Sequence, residues 1–238
     1  MTVLLVAHGT RNPHGVALIG DLARAMRERL DVDVSVAFVD VLGPSPSEAL
    51  ARRSAPRAVP ERGRGAQSRG VTVVPAFLGR GYHVRRDIPD HLSRPGLPPT
   101  TVTDSLGPSD EVLAALVDRL DEAGRRRGDT VVLAAAGSSD PMAVADVEEV
   151  ADRLSSLVDA PVTVAFAAPS PRVAHIPSVA EAVSRTRGRV AVASHLLAPG
   201  LFQSRLVESG ADVVARPLGL HPLIVDRACA LAARPVTV

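Results

Sequence analysis

The second half of this chain rewrites the first. Residues 3–13, VLLVAHGTRNP, return as VVLAAAGSSDP at 131–141, and VSVAF at 34–38 returns as VTVAF at 162–166, both 128 positions later. VTVVPAFLGRG at 71–81 then pairs with VAVASHLLAPG at 190–200, and a Leu-Gly pair (Leu106-Gly107, Leu218-Gly219) precedes the last helical segment of each half. Self-similarity on this scale marks a tandem duplication, so whatever fold one half takes, the other must take too.

Within each half, short valine-rich runs alternate with helical patterns, the signature of βαβ units and a parallel sheet. The strands expected are Val3–Ala7, Val32–Val39, Val71–Phe77 and Thr100–Thr103, then Thr130–Ala135, Val162–Ala167, Arg189–Ser194 and Asp212–Ala215. Val16, Ile19, Leu22, Met26 and Leu30 recur at helical spacing and give the first helix one buried face. Ser45, Pro46 and Glu48 read as an N-cap, a first-turn proline and a capping-box acid. Ser109 to Leu120 repeats the amphipathic pattern, with Gly124 placed to end it. The fold class is therefore α/β, with two tandem-duplicated lobes, each a four-stranded parallel sheet flanked by helices. The N-terminal lobe covers residues 1–125 and the degenerate repeat residues 126–238, joined by GRRRGD at 124–129. The change of offset along the repeat is explained mainly by APRAVPERGRGAQSRG at 55–70, whose Pro, Gly and Arg content predicts a mobile loop.

Several classes are excluded early. No apolar run approaches the roughly 20 residues needed to cross a bilayer, and the apolar N-terminus stops at His8, Gly9 and Thr10 without a basic leader, as a first strand does. A single cysteine, Cys229, rules out an internal disulfide and any CxxC motif, which makes a cytoplasmic setting the expectation. A net charge of +1 carries no nucleic-acid or membrane footprint. With aromatic residues at 2 % and no tryptophan, the core must be built from Val, Leu, Ile and Ala.

Chemistry belongs where the carboxyl ends of parallel strands gather their loops. His8 follows the first strand, Asp40 the second, and His83 the third after a six-residue turn. Opposite these the second half has Ala136, Ala168 and Phe202, so all three candidates disappear together while the surrounding strands persist. A scaffolding role predicts no such joint loss; one functional site in the N-terminal half does. Imidazole and carboxylate suit divalent iron, cobalt, nickel or zinc, and a three-ligand set with open positions suits an exchangeable ion.

These residues carry a resemblance. AHGTRNP at 7–13, AFVDVLGPSPSEAL at 37–50 and VVPAFLGRGYHVRRDIPDHL at 73–92 resemble the CbiX/SirB family of sirohydrochlorin chelatases, the class II tetrapyrrole chelatases. The resemblance is strongest over about the first 110 residues. It implies insertion of a metal into a planar macrocycle without ATP, with His8 and His83 binding the incoming ion and accepting pyrrole protons. It also implies help from an acid after the second strand; the family commonly has glutamate there, and Asp40 is one methylene shorter. The metal is then a substrate, Fe²⁺ first, with Co²⁺ or Ni²⁺ as alternatives, and the tetrapyrrole lies between the lobes. Because that macrocycle bears many carboxylates, Arg11, Arg80, Arg85 and Arg86 are candidate contacts, and Tyr82 is a candidate either to stack on the ring or to pack into the core. Fusion of two units in one chain predicts a monomer, with no nucleic-acid or membrane partner.

Two rivals stand beside this reading. HGTR is similar to the core of histidine phosphatases, but those need an arginine before the histidine and this chain has Ala7; no GxSxG, Walker or GxGxxG motif occurs. Two lobes around a cleft equally suit a metal or tetrapyrrole carrier without catalysis, separated from a chelatase by turnover. The other histidines, His14, His91, His175, His195 and His221, are expected to be structural or solvated.

Overall fold

The computed structural model describes residues 2–54 and 70–233; of the expected loop at 55–70, all but Gly70 lies outside them. In chain order the elements are β1 (Thr2–Ala7), α1 (Pro13–Leu30), β2 (Asp33–Phe38), α2 (Pro46–Ser54), β3 (Val71–Pro75), α3 (Ile88–Leu92), β4 (Thr100–Val102) and α4 (Asp110–Glu122). The second half follows with β5 (Thr130–Ala135), α5 (Pro141–Val158), β6 (Val162–Phe166), α6 (Val179–Arg185), β7 (Val190–His195), α7 (Leu201–Val207), β8 (Val213–Val214) and α8 (Pro222–Ala233). The strands form two parallel sheets of identical order, β2-β1-β3-β4 and β6-β5-β7-β8.

The duplication extends to the details that start and stop helices. Asn12 accepts the His14 N–H ahead of Pro13, and Asp140 accepts the Met142 N–H ahead of Pro141, each at 2.9 Å. α1 ends at Asp31 (φ 50°) and α5 at Asp159 (φ 51°), two left-handed C-caps 128 residues apart. The expected box of Ser45 and Glu48 forms, the Ser45 N–H donating to Glu48 Oε2 at 2.8 Å, and Ser178 with Glu181 repeats it at the start of α6. Such caps satisfy backbone groups that the first and last turns leave without partners.

Alternate residues of a strand face opposite sides of its sheet, and both sides here are apolar. On the outer face of the first sheet, Leu4, Val6 and Val73 pack with Leu50 of α2 and Ile88 of α3. On the outer face of the second, Val132, Ala134 and Val192 pack with Val179 and Ala182 of α6 and Leu206 of α7. The inner faces, Val3, Leu5 and Ala7 with Val131, Leu133 and Ala135, belong to one continuous core.

That common core is built by helix exchange. α1 covers β2 of its own sheet and α5 covers β6, but α8 packs on β3 and α4 packs on β7, so each repeat's last helix covers the other's sheet. Matching hydrogen bonds secure the exchange: Arg119 of α4 donates to the Leu218 carbonyl at 2.9 Å, and Arg227 of α8 donates to the Leu106 carbonyl at 3.3 Å. The Leu-Gly pairs that mark the repeat are thus the acceptors for the opposite repeat's final helix.

Leu116 of α4 is fully buried in the shared cluster. Leu116→Ala should cost about 2–5 kcal/mol. Since the core serves both sheets, denaturant unfolding should remain one transition whichever half is probed; two separated transitions would contradict a common core.

Candidate metal centre

β1 delivers His8 at the first residue beyond the strand, and the loop that follows is held against the end of β2. The Asp40 N–H donates to the His8 carbonyl at 3.0 Å, and Gly9 adopts φ +98° so closely beneath this segment that a β-carbon there would lie 2.1 Å from the Asp40 carbonyl oxygen. Only glycine fits. The second half rebuilds the same junction, with Gly137 at φ +114° beneath the Ala168 carbonyl and the Ala168 N–H on the Ala136 carbonyl. The scaffold is therefore common to both repeats, and only the first one carries chemistry-bearing side chains on it.

β3 ends at Pro75, and the chain then crosses Gly79, Arg80 and Gly81 to a π-helical turn, His83–Asp87, which runs directly into α3. This turn brings the imidazole of His83 against that of His8, with ring centroids 4.5 Å apart and the rings almost perpendicular at 89°. Phe77 stacks beside His83 at 6.1 Å, and Tyr82, an exposed side chain, meets it edge-on at 6.2 Å.

Both imidazoles are oriented through the same nitrogen. His8 Nδ1 lies 3.1 Å from the Gly9 carbonyl oxygen, and His83 Nδ1 lies 2.5 Å from Asp87 Oδ2. A carbonyl and an ionised carboxylate can only accept, so each Nδ1 carries a proton, and a neutral ring then keeps its lone pair on Nε2. This is the arrangement by which an outer carboxylate or carbonyl fixes a metal-binding histidine. Asp87, the last residue of the π-helical turn, thus gives its carboxylate to His83.

Asp40 does not join the two rings. Its Oδ1 accepts the Val41 N–H at 2.7 Å, and with Asp87, Asp90, His91 and Arg94 it lines a pocket of about 340 Å³. Among the described residues no cluster of three or more His, Cys, Asp or Glu side chains is arranged to hold an ion. The structure thus assembles an imidazole pair where a set of three was expected.

The four candidate arginines divide into two kinds. Arg11 and Arg86 are exposed and, among the described residues, have no acidic partner. Arg80 and Arg85 are joined to carboxylates of the second lobe: Arg80 Nη2 reaches Asp146 Oδ1 at 2.5 Å, and Arg85 Nη2 reaches Asp140 Oδ2 at 2.7 Å. Burial pushes the Asp140 carboxyl up, but hydrogen bonds from Arg85 and from the Met142 N–H outweigh it and leave that group below its usual range.

The audit of the remaining histidines finds His14 and His175 exposed, His91 bonded to Ser47 Oγ at 3.2 Å, and His221 buried beside Asp118 at 3.2 Å. His195 closes β7 and is buried, its Nε2 without a hydrogen-bond partner among the described residues; desolvation, only partly offset by the charge of Asp146, pushes its pKa down to about 4. No helix among the described residues is long and apolar enough to cross a membrane.

The chain is thus a two-lobed α/β scaffold with one oriented imidazole pair at the strand ends of a single lobe. The CbiX family model matches residues 2–123 and again residues 130–233, and the chain belongs to that family. It is 36 % identical over 90 residues to a sirohydrochlorin cobaltochelatase of Methanothermobacter thermautotrophicus, an alignment covering 38 % of this chain and 56 % of that one, so the chain spans little more than half the length of this relative. Among solved structures, SirB from Bacillus subtilis with Fe³⁺ superposes with a TM-score of 0.73 at 21 % identity, covering 97 % of this chain and 93 % of that one. CbiX described as the terminal enzyme of sirohaem biosynthesis in denitrifying bacteria superposes with a TM-score of 0.68 at 20 % identity, covering 99 % of this chain and all of the other. These superpositions bear out the two-lobed α/β fold.

The buried His195 has a consequence for stability. The unfolded chain takes up a proton on this ring near pH 6.5, while the folded chain refuses it until about pH 4. Stability should therefore fall as pH drops through that window, by about 3 kcal/mol in full. Denaturant titrations between pH 7 and 4 should show a steeper acid-side loss in the parent than in His195→Leu, which retains only the part due to depressed carboxylates such as Glu48 and Glu181; parallel curves would contradict the burial of a neutral ring.

Proposed function

We propose that this protein is a sirohydrochlorin chelatase that inserts a divalent metal ion into the macrocycle without ATP. The observation that carries this reading is the pair His8 and His83, two imidazoles in contact whose Nδ1 protons are held and whose Nε2 lone pairs are left for an incoming ion. Membership of the CbiX family and a relative named for the same macrocycle support it.

The chemistry requires two things of the chain. A metal ion must be received by ligands that let it go again, and two ring-nitrogen protons must leave for each ion that enters. Two neutral imidazoles offer labile ligation and are residue types that take up protons near neutral pH. Asp87 holds His83 in one tautomer and steadies the positive charge the ring acquires on accepting a proton or an ion. Tyr82 presents an exposed aromatic face next to the pair, and Arg11 and Arg86 have guanidinium groups available for the carboxylates of the macrocycle. Asp40, in the pocket that Asp87 also lines, is placed to assist from outside the pair.

Fe²⁺ is the metal we favour, giving sirohaem. A second reading, Co²⁺ insertion toward cobalamin, has its own support in the cobaltochelatase relative.

An anaerobic absorbance assay with sirohydrochlorin and Fe²⁺, Co²⁺ or Ni²⁺ tests all of this. Repeated metal-dependent turnover is expected, and His8→Ala and His83→Ala should each lower kcat/KM by 100-fold or more, in the range that a positioned acid–base or ligand group contributes. Variants as fast as the parent would refute the site. Stoichiometric binding without turnover would favour a carrier, and a faster rate with Co²⁺ at equal free metal would select the cobalt reading.

A further inference from the structure

The second lobe holds no counterpart of His8, Asp40 or His83, yet it supplies a buried charge to the loop that carries His83. Asp146, on α5, has a side chain with no exposure to solvent. Its Oδ2 accepts the backbone N–H of Arg80 at 2.6 Å, and its Oδ1 accepts Arg80 Nε at 3.0 Å and Nη2 at 2.5 Å. A carboxylate withdrawn from water must be compensated, and Arg80 supplies both the countercharge and the main-chain donor. The Arg80 carbonyl in turn accepts Arg85 Nε at 3.0 Å, and the Arg85 guanidinium ends on Asp140, the residue that caps α5. The glycines on either side of Arg80 lie directly on the same helix: a β-carbon at Gly79 would be 3.3 Å from Asp146 Oδ2, and one at Gly81 would be 3.2 Å from the Ala143 β-carbon. Two residues beyond Gly81 is His83.

The repeat shows that this is not simply how one lobe sits on the other. The related junction exists: the loop at Pro199 and Gly200 lies on α1 and its preceding turn, close enough that a β-carbon at Gly15 would be 3.1 Å from the Pro199 carbonyl oxygen and one at Gly200 would be 3.9 Å from Thr10 Oγ1. The offsets of the duplication place Pro199 opposite Arg80, Ser204 opposite Arg85, Leu18 opposite Asp146 and Asn12 opposite Asp140. Lobe contact is therefore made on both sides, but the ion pairs occur only where the loop carries His83 and not where it carries Phe202.

We infer that Asp146 is a positioning residue for the metal-receiving pair, acting through Arg80 to hold the His83 loop at the distance from His8 that lets one ion meet both rings. The inference rests on the proposed role of that pair. It also removes Arg80 and Arg85 from the groups offered to the macrocycle and gives them to the geometry of the loop.

The test uses the full chain. Asp146→Asn and the double variant Arg80→Ala/Asp146→Leu, which leaves no buried charge, are compared with the parent and with Arg153→Ala, which removes another contact between the lobes, the Arg153–Asp110 pair, far from the loop in sequence. Three measurements are made: Co²⁺ titration followed by its visible absorption, amide hydrogen exchange, and steady-state chelation. Both Asp146 variants should bind Co²⁺ at least tenfold more weakly, exchange faster over residues 77–87, and lose at least tenfold in kcat while KM for the macrocycle changes less than about threefold. Arg80→Lys, which keeps the charge and loses the fork, should fall between them and the parent, and Arg153→Ala should match the parent in all three. If Asp146→Asn fails to fold, the double variant decides. A folded double variant with Co²⁺ affinity, kcat and loop exchange within twofold of the parent would overturn the inference. A parent that neither binds Co²⁺ nor turns over would instead sink the metal reading on which it rests, while the exchange data would still report separately whether Asp146 holds the loop.

Discussion

A parallel sheet needs apolar cover on both faces, and in this protein neither repeat covers the inner face of its sheet alone. The first helix of each repeat lies on its own sheet, but beside it lies the last helix of the other. This single constraint fixes much else. It puts the inner faces of both sheets into one core, it leaves the lobes no freedom to fold apart, and it sets the loops at the strand ends of one sheet against the helix starts of the other. The reciprocal bonds from Arg119 to Leu218 and from Arg227 to Leu106 show the exchange to be specific as well as hydrophobic.

Much of this was legible in the sequence because it is local. The eight strands were readable from valine-rich runs, and the duplication checked each against its copy, so their ends shifted by no more than two residues. Caps were readable for the same reason: Ser45 with Glu48 is a three-residue relation. That His8 and His83 lie on one sheet edge was readable, since both follow strand carboxyl ends; their meeting depends on β1 and β3 being neighbours, which the structure supplies.

What the sequence did not show is non-local or conformational. Nothing in the periodicity of α4 or α8 says which sheet the buried stripe will cover. Arg80 and Asp146 are 66 residues apart and Arg85 and Asp140 are 55 apart, and an arginine beside a proposed anion site reads as an anion contact until its partner is seen. Only the π-helical turn brings the Asp87 carboxylate back onto His83. The position of Asp40 after β2 was readable, but not that its carboxylate accepts the next residue's N–H.

The comparison of the repeats separates two kinds of asymmetry. Ala136, Ala168 and Phe202 stand on a backbone that still needs Gly137 beneath Ala168, so the second lobe keeps the shape of a site whose side chains it does not carry. On the proposed function this is chemically coherent: a macrocycle has one centre and takes one ion, so a second imidazole pair would add nothing, while a second wall would. At Asp146 the difference runs the other way, with a buried carboxylate where the first lobe has Leu18. The equivalent position of the first lobe carries an apolar side chain. A buried charge tolerates far less displacement of its partner than an apolar contact does, because each tenth of an ångström lost from the hydrogen bonds leaves the carboxylate less compensated. The second lobe therefore contributes stiffness at the one loop where position matters, and leaves packing alone to hold the other.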